Sequence, residues 1–180
     1  MQEMNVTQKD SNSMLSDLDQ QNVLNDSDEM NGRYLTFWTD EQLFGIPIEN
    51  VVQIVKVQKI TELPQFPKYA KGIINLRGSI IAVIDMRLRL GKQEIPYNER
   101  TCIIVTRIQK DLIGLIVDAV DEVTKIDPEN ITAPPKISES DATNAYLTGI
   151  AKSDDKVVLL LDSEKIMENN KILPVAQDNI

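Results

Sequence analysis

The chain has 180 residues, 42% apolar but only 4% aromatic, so one domain or two small subdomains around an Ile, Val and Leu core is expected, and those residues favour strands. Its net charge of −9 is concentrated in residues 1–32, which hold seven acids and one lysine; the remainder is nearly balanced and lacks the basic stripe that nucleic-acid binding requires. Histidine is absent, which removes His-based triads, His metal ligands and His general bases together, and the lone cysteine, Cys102, excludes an intrachain disulfide.

Residues 1–32 read as a disordered acidic tail, with a weak helical pattern around 14–18. The N-terminus lacks a basic segment followed by an apolar one, so no signal peptide is expected. Apolar runs such as 112–117 and 157–161 fall far short of the ~20 residues of a spanning helix. A soluble, cytoplasmic protein without direct membrane insertion is expected.

Order is predicted to begin at Arg33. Residues 34–38 read as a strand, with Leu35 and Phe37 on one face and Tyr34, Thr36 and Trp38 on the other. A turn at 39–42 leads to a second strand over 43–48, with Pro47 at its end. Ile48, Val51, Val52 and Val55 sit at helical spacing, which predicts a short helix over 49–55 with Gln53 and Ile54 facing sideways or outward. A strand is expected over 56–63, broken by Pro64 and Pro67, then a single turn at 68–71.

The most informative stretch follows. Two apolar runs, 72–76 and 80–84, flank Arg77-Gly78-Ser79 and read as a hairpin, with Gly78 supplying the permissive backbone of the reversal. Arg77 stands at the tip, where its side chain points outward. Residues 85–91 form a helical turn, capped by Asp85 and stopped by Gly91.

After a polar loop over 91–100, strands are predicted at 101–108 and 112–120 around a turn at 109–111, and a further strand at 121–126. Gly114 in mid-strand marks a bulge or a close backbone approach. Cys102, inside an apolar strand, reads as a small buried hydrophobe. Asp118 and Asp121, three apart on extended chain, point to opposite faces, so with Glu122 they make no metal site. Residues 127–141 read as a long loop stiffened by Pro134-Pro135. The last hairpin pairs 146–151 with 156–161. Asp162 then caps a terminal helix over 163–170 with Ile166 and Met167 as its apolar stripe, and 172–180 fray.

About ten short strands with regular turn signals indicate an all-β sandwich or barrel. No phosphate-binding glycine loop, C-x-x-C, H-E-x-x-H or G-x-S-x-G is present, and no carboxylates fall in a recognisable pair. No enzyme activity, cofactor or metal is expected; surface recognition remains.

The run G-I-I-N-L-R-G-S-I-I-A-V-I-D-M-R resembles the signature hairpin of the CheW family of bacterial chemotaxis coupling proteins, shared by the regulatory domain of the kinase CheA and by CheV. F-G-I-P-I near Phe44, G-L-I-V-D-A-V-D-E-V near Gly114, A-Y-L-T-G-I near Tyr146 and V-V-L-L-L-D-S-E-K-I near Val157 agree in order, so the resemblance covers about 34–167. It implies two packed five-stranded SH3-like barrels, interleaved in sequence over 33–171. It also implies a non-catalytic adaptor between chemoreceptor (methyl-accepting chemotaxis protein) cytoplasmic tips and the regulatory domain of the histidine kinase CheA, reaching membrane receptor arrays through its partners.

Carried over residue by residue, Val51, Gln53 and Ile54 match the receptor-binding short helix, and Asn75, Leu76, Arg77 and Gly78 match the hairpin. Gln53 stands where the family often has Glu, which puts a family salt bridge in doubt. Val51, Ile54 and Leu76 would supply apolar contact, and Arg77 would bond the receptor tip or hold the hairpin internally. Asp85 and Arg87 would cap and pair within the domain. A CheV or CheA fragment is disfavoured by length, an SH3-like proline-peptide binder by the scattered aromatics, and a small carboxylate enzyme by the missing motifs.

Overall fold

The computed structural model describes residues 29–135 and 143–168. The elements below lie in the unit formed by residues 32–180. The tail over 1–28, its weak helix at 14–18 and the end expected to fray at 172–180 fall outside the described residues.

β1 (Arg33–Thr39) and β2 (Gln42–Pro47) form the first hairpin, with Phe37 opposite Phe44 and their rings stacked at 6.0 Å. The expected division of faces holds. Leu35 and Phe37 enter one apolar cluster, while Tyr34 and Trp38 pack against another. β3 (Val51–Lys56), β4 (Ala70–Leu76) and β5 (Ser79–Asp85) follow, and a short helix α1 (Met86–Arg89) closes the first half. β6 (Cys102–Ile108), β7 (Asp111–Val117), β8 (Ala119–Lys125), β9 (Ile131–Thr132), β10 (Leu147–Ser153) and β11 (Lys156–Leu161) complete the strands, before α2 (Ser163–Met167).

The strands make two sheets. One has six in the order β8-β1-β2-β11-β10-β9, and the other has five in the order β3-β6-β7-β5-β4. Each contains one parallel pair, β2 with β11 and β5 with β7, joining two antiparallel pieces. The two sheets thus repeat one topology, with β1, β2, β8, β10 and β11 equivalent to β6, β7, β3, β4 and β5. The first departs from the implied five strands by the two-residue β9, which pairs with Ile150 and Ala151 inside the segment expected to be loop.

Three apolar clusters explain the continuous hydrophobic runs. One lies between the sheets and takes Leu35, Phe44, Ile84, Ile104, Leu115 and others from both. A second belongs to the five-stranded sheet alone and contains Ile74, Ile81, Val83, Ile103, Val105 and Ile116. A third, with Leu43, Val158 and Leu160, belongs to the six-stranded sheet. Successive residues of a strand such as β6 therefore face two different cores, and both need apolar side chains. Gly114 is the close approach that its position suggested. A Cβ there would stand 2.7 Å from Ile103 Cγ2 and 2.8 Å from Val83 Cγ1.

Three expectations need correction. The helix over 49–55 is instead a 3-10 turn at Ile48–Asn50 followed by strand β3. Valines paired on β6 prefer the pleated surface, and so short a helix cannot offset its own nucleation cost. The strand over 56–63 reduces to one bridge, Thr61 to Ile73. The return strand over 112–120 stops at Val117. Asp118 turns the corner, and β8 starts at Ala119 in the other sheet.

Candidate recognition site at a hairpin tip and an edge strand

Leu76 pairs with Ser79, so the β4–β5 hairpin reverses through two residues, Arg77 and Gly78. Their φ angles are +51° and +89°, and positive φ at both central positions is what a type I′ hairpin turn demands. Gly78 adopts this freely; an arginine there costs about 1 kcal/mol. The Asn75 side-chain oxygen accepts the Gly78 N–H at 2.8 Å and closes the turn. The internal bond that the sequence left open for Arg77 is thus supplied by Asn75. Arg77 is exposed and makes no hydrogen bond or ion pair among the described residues. Leu76 is half-buried against the cluster of the five-stranded sheet, and Ile80, just past the turn, is 59% exposed.

β3 carries the other candidate residues at the opposite end of the hydrogen-bonded order. Its register on β6 shifts between Val51 and Gln53, so Val51 lies opposite Thr106, Gln53 opposite Val105 and Ile54 opposite Ile104. The extra residue, Val52, is a bulge. Without it, Val51 and Ile54 would point to opposite faces; with it they share one. This bulge is the physical origin of the three-residue spacing that reads as helical in the sequence. Val51 packs against the cluster between the sheets, whereas Val52 and Ile54 are 44% and 43% exposed. Gln53 is half-buried and shares its face with Val55, which packs on the inner cluster of the sheet. It is not an outward residue.

The two groups lie on the two end strands of one sheet, and Val55 and Leu76 pack on the same cluster, but no hydrogen bond or ion pair among the described residues joins them. Val52 and Ile80 extend the candidate surface and were not singled out in the sequence. Adjacent apolar residues gave no signal for them, because neighbouring residues of these strands face two different cores.

Behind the hairpin, α1 ties the sheets together. Asp85 caps it by accepting the Leu88 N–H at 3.3 Å, and Tyr97 Oη donates to its other oxygen at 2.9 Å. Burial, reinforced by the Asp85 charge, pushes the Tyr97 phenol well above its usual range. Arg87 Nε donates to both Asp118 oxygens at 2.9 and 3.0 Å, and Arg87 Nη1 reaches Asp40 at 3.2 Å. The Asp118 hydrogen bond raises the Arg87 pKa further. Asp85 and Arg87 thus cap and pair internally, as read from the sequence. Arg89, missed there, lies buried with its guanidinium 4.5 Å from the Tyr69 ring and 4.7 Å from the Tyr146 ring, and donates to the Ile166 carbonyl at 2.8 Å.

The remaining chemistry is sparse. Asp121 takes Thr36 and Lys156, and no group of three potential ligands that could hold a metal occurs among the described residues. Cys102 is half-buried, and its thiol donates to the Arg100 carbonyl. No described helix is long and apolar enough to cross a membrane.

Residues 33–171 match the family model described as CheW-like domain. Chemotaxis protein CheW of Klebsiella aerogenes is 31% identical over 147 residues, covering 82% of this chain and 87% of that protein. The CheW of Thermotoga maritima is 31% identical over 136 residues, covering 74% and 86%. The crystal structure of scaffolding protein TtCheW from Thermoanaerobacter tengcongensis superposes with a TM-score of 0.71 at 39% identity, over 77% of this chain and 94% of that one. Two sheets of matching topology, a capped N-L-R-G hairpin and a family match over most of the length lead to one conclusion: the chain belongs to the CheW family of chemotaxis scaffold proteins.

Proposed function

We propose that this chain is a non-catalytic adaptor that couples chemoreceptors to the histidine kinase CheA. The working domain is 33–171, with 1–32 as an acidic tail, and the protein acts in the cytoplasm at receptor arrays that it reaches through its partners. The receptor tip docks on Arg77, Leu76 and Ile54, joined by the exposed Val52; Asn75 and Gly78 shape the turn, Val51 packs beside Ile54 on the same face, and Gln53 supports the strand from the other. The regulatory domain of CheA, which resembles this fold, docks barrel to barrel.

The observation that carries this reading is the Arg77 side chain, exposed at the hairpin tip with no hydrogen bond or ion pair among the described residues. Positive φ recurs at the turn residues Asp40, Glu41, Gln109 and Asp154, so it is the outward charge beside the exposed Ile80, and not the backbone, that supports recognition here. An adaptor has no energy source of its own, so signals pass by docking and mass action, with moderate affinities raised by local concentration in the array.

Titration calorimetry against a receptor hairpin fragment and, separately, the CheA regulatory domain tests the proposal. Saturable binding to both is expected, with Arg77→Ala weakening the receptor titration alone. Binding to neither by the folded protein would overturn the adaptor role, and unchanged receptor binding by Arg77→Ala would overturn the site.

A further inference from the structure

The repeat that relates the two sheets extends to their turns. In each sheet the parallel pair starts late and at the same register. Ala82, fourth in β5, meets Ile113, third in β7; Leu159, fourth in β11, meets Phe44, third in β2. The strands leave two equivalent notches before these pairs, of about 350 and 410 Å³. Two-residue turns flank each notch. Arg77 and Asp154 open one equivalent pair of turns with φ of +51° and +53°; Gln109 and Asp40 open the other with +56° and +51°.

An exposed aliphatic side chain stands at the same place in both, the second residue of its strand. Ile80 is 59% exposed and Val157 is 54% exposed. The charge around them is inverted. The turns of the five-stranded sheet carry Arg77 and Lys110 and no acid, whereas those of the six-stranded sheet carry Asp40, Glu41, Asp154 and Asp155 and no base. Arg87 engages Asp40, and Lys156, beside Val157, is engaged by Asp121. Glu41, Asp154 and Asp155 are exposed and form no ion pair among the described residues. An apolar patch with a charged rim has the composition of a docking surface. Opposite charge at two such surfaces selects different partners, because like charges placed against each other oppose association.

Resting on the adaptor reading above, we propose that the notch between β2 and β11 is the docking surface for the regulatory domain of CheA, and that the two equivalent ends sort their partners by charge. The acid-rimmed end takes a hairpin tip that carries a cation beside an aliphatic side chain. The five-stranded end of this molecule shows what such a tip looks like, with Arg77 and Lys110 around Ile80. In the adaptor reading that end is taken by the receptor, which leaves a barrel of similar fold from another chain to fill the acidic notch.

Calorimetry of the full-length protein and its Glu41→Lys/Asp155→Lys double variant tests this against the CheA regulatory domain and, separately, a receptor hairpin fragment. The parent's affinity for the regulatory domain should fall as salt rises. The double variant should bind that domain about tenfold more weakly, with the receptor titration unchanged as proof that it is folded. Val157→Ser should weaken the same titration alone. A parent that binds the regulatory domain no better than the double variant does would overturn the acidic notch and leave the adaptor reading standing; a parent that binds neither partner would overturn both. Sedimentation of the parent separates a second occupant. Self-association abolished in the double variant would assign the notch to a second copy and refute the proposal.

Discussion

Asn75 Oδ1 accepts the backbone N–H of Gly78 at 2.8 Å, so the hairpin tip is held by the residue before the turn, and the Arg77 side chain between them bonds to nothing among the described residues. Stability and recognition are thereby assigned to neighbouring side chains. Asn75→Ala should cost about 0.5–1 kcal/mol, the usual net worth of one hydrogen bond. Arg77→Gly relieves the strain of positive φ but adds freedom to the unfolded chain, so the two effects offset and the thermal midpoint should stay nearly constant. Receptor binding should nevertheless fall. Paired thermal unfolding and calorimetry of the two variants decide this; a large loss of stability in Arg77→Gly would mean that the side chain holds the fold.

Gly114 admits no larger residue without displacement of the Ile103 and Val83 methyl groups. Gly114→Ala should destabilise by about 1–3 kcal/mol through overpacking. The double variant with Val83→Ala should recover part of that loss, because the space returns. Chemical denaturation of the three proteins checks it, and simple additivity of the two costs would count against the contact.

Arg87 joins the Asp118 corner, where the chain leaves the five-stranded sheet, to Asp40 in the β1–β2 turn. Its side chain is 13% exposed, but Asp118 and Asp40 are 25% and 39% exposed and can be solvated, so Arg87→Ala should cost about 1–2 kcal/mol. Arg87→Lys should recover only part, since a point charge cannot reproduce the bidentate contact. Denaturant midpoints that match for the parent and the lysine variant would contradict this geometry.

Tyr97, together with Tyr69, whose phenol is also raised by burial, destabilises the fold at alkaline pH. The Tyr97 phenol is raised in the folded protein, so above about pH 10 the unfolded chain releases a proton that the folded one keeps. The folded state then binds more protons, and stability falls as pH rises. Tyr97→Phe should flatten this slope, while costing about 1–2 kcal/mol near neutrality because Asp85 loses a donor. Urea unfolding from neutral to strongly alkaline pH measures both; an equal slope in the two proteins would refute the assignment.

Much of this molecule was legible in its residues. The N-L-R-G hairpin, the Asp85 and Asp162 caps and the close approach at Gly114 all rest on local chemistry, in which turn and cap residues act within a few positions of themselves. The position of Arg77 at the hairpin tip was legible for the same reason. β3 was not. Val51 and Ile54 share a face at a spacing that suits a helix, and only pairing with β6 turns that spacing into a bulged strand. The missed Arg89 is similar, since its partners Tyr69, Tyr146 and Ile166 lie far away in sequence.

By itself, then, the sequence determined an all-β chain rich in short hairpins, a family resemblance and the position of one arginine at a tip. The tertiary structure decided which face of each strand meets which of three cores, that Gln53 turns inward and Ile54 outward, and that Asn75 rather than Arg77 closes the turn. The reason is range. Turns and caps are settled by groups a few residues apart, whereas strand register and burial are settled by partners that long-range pairing alone brings together.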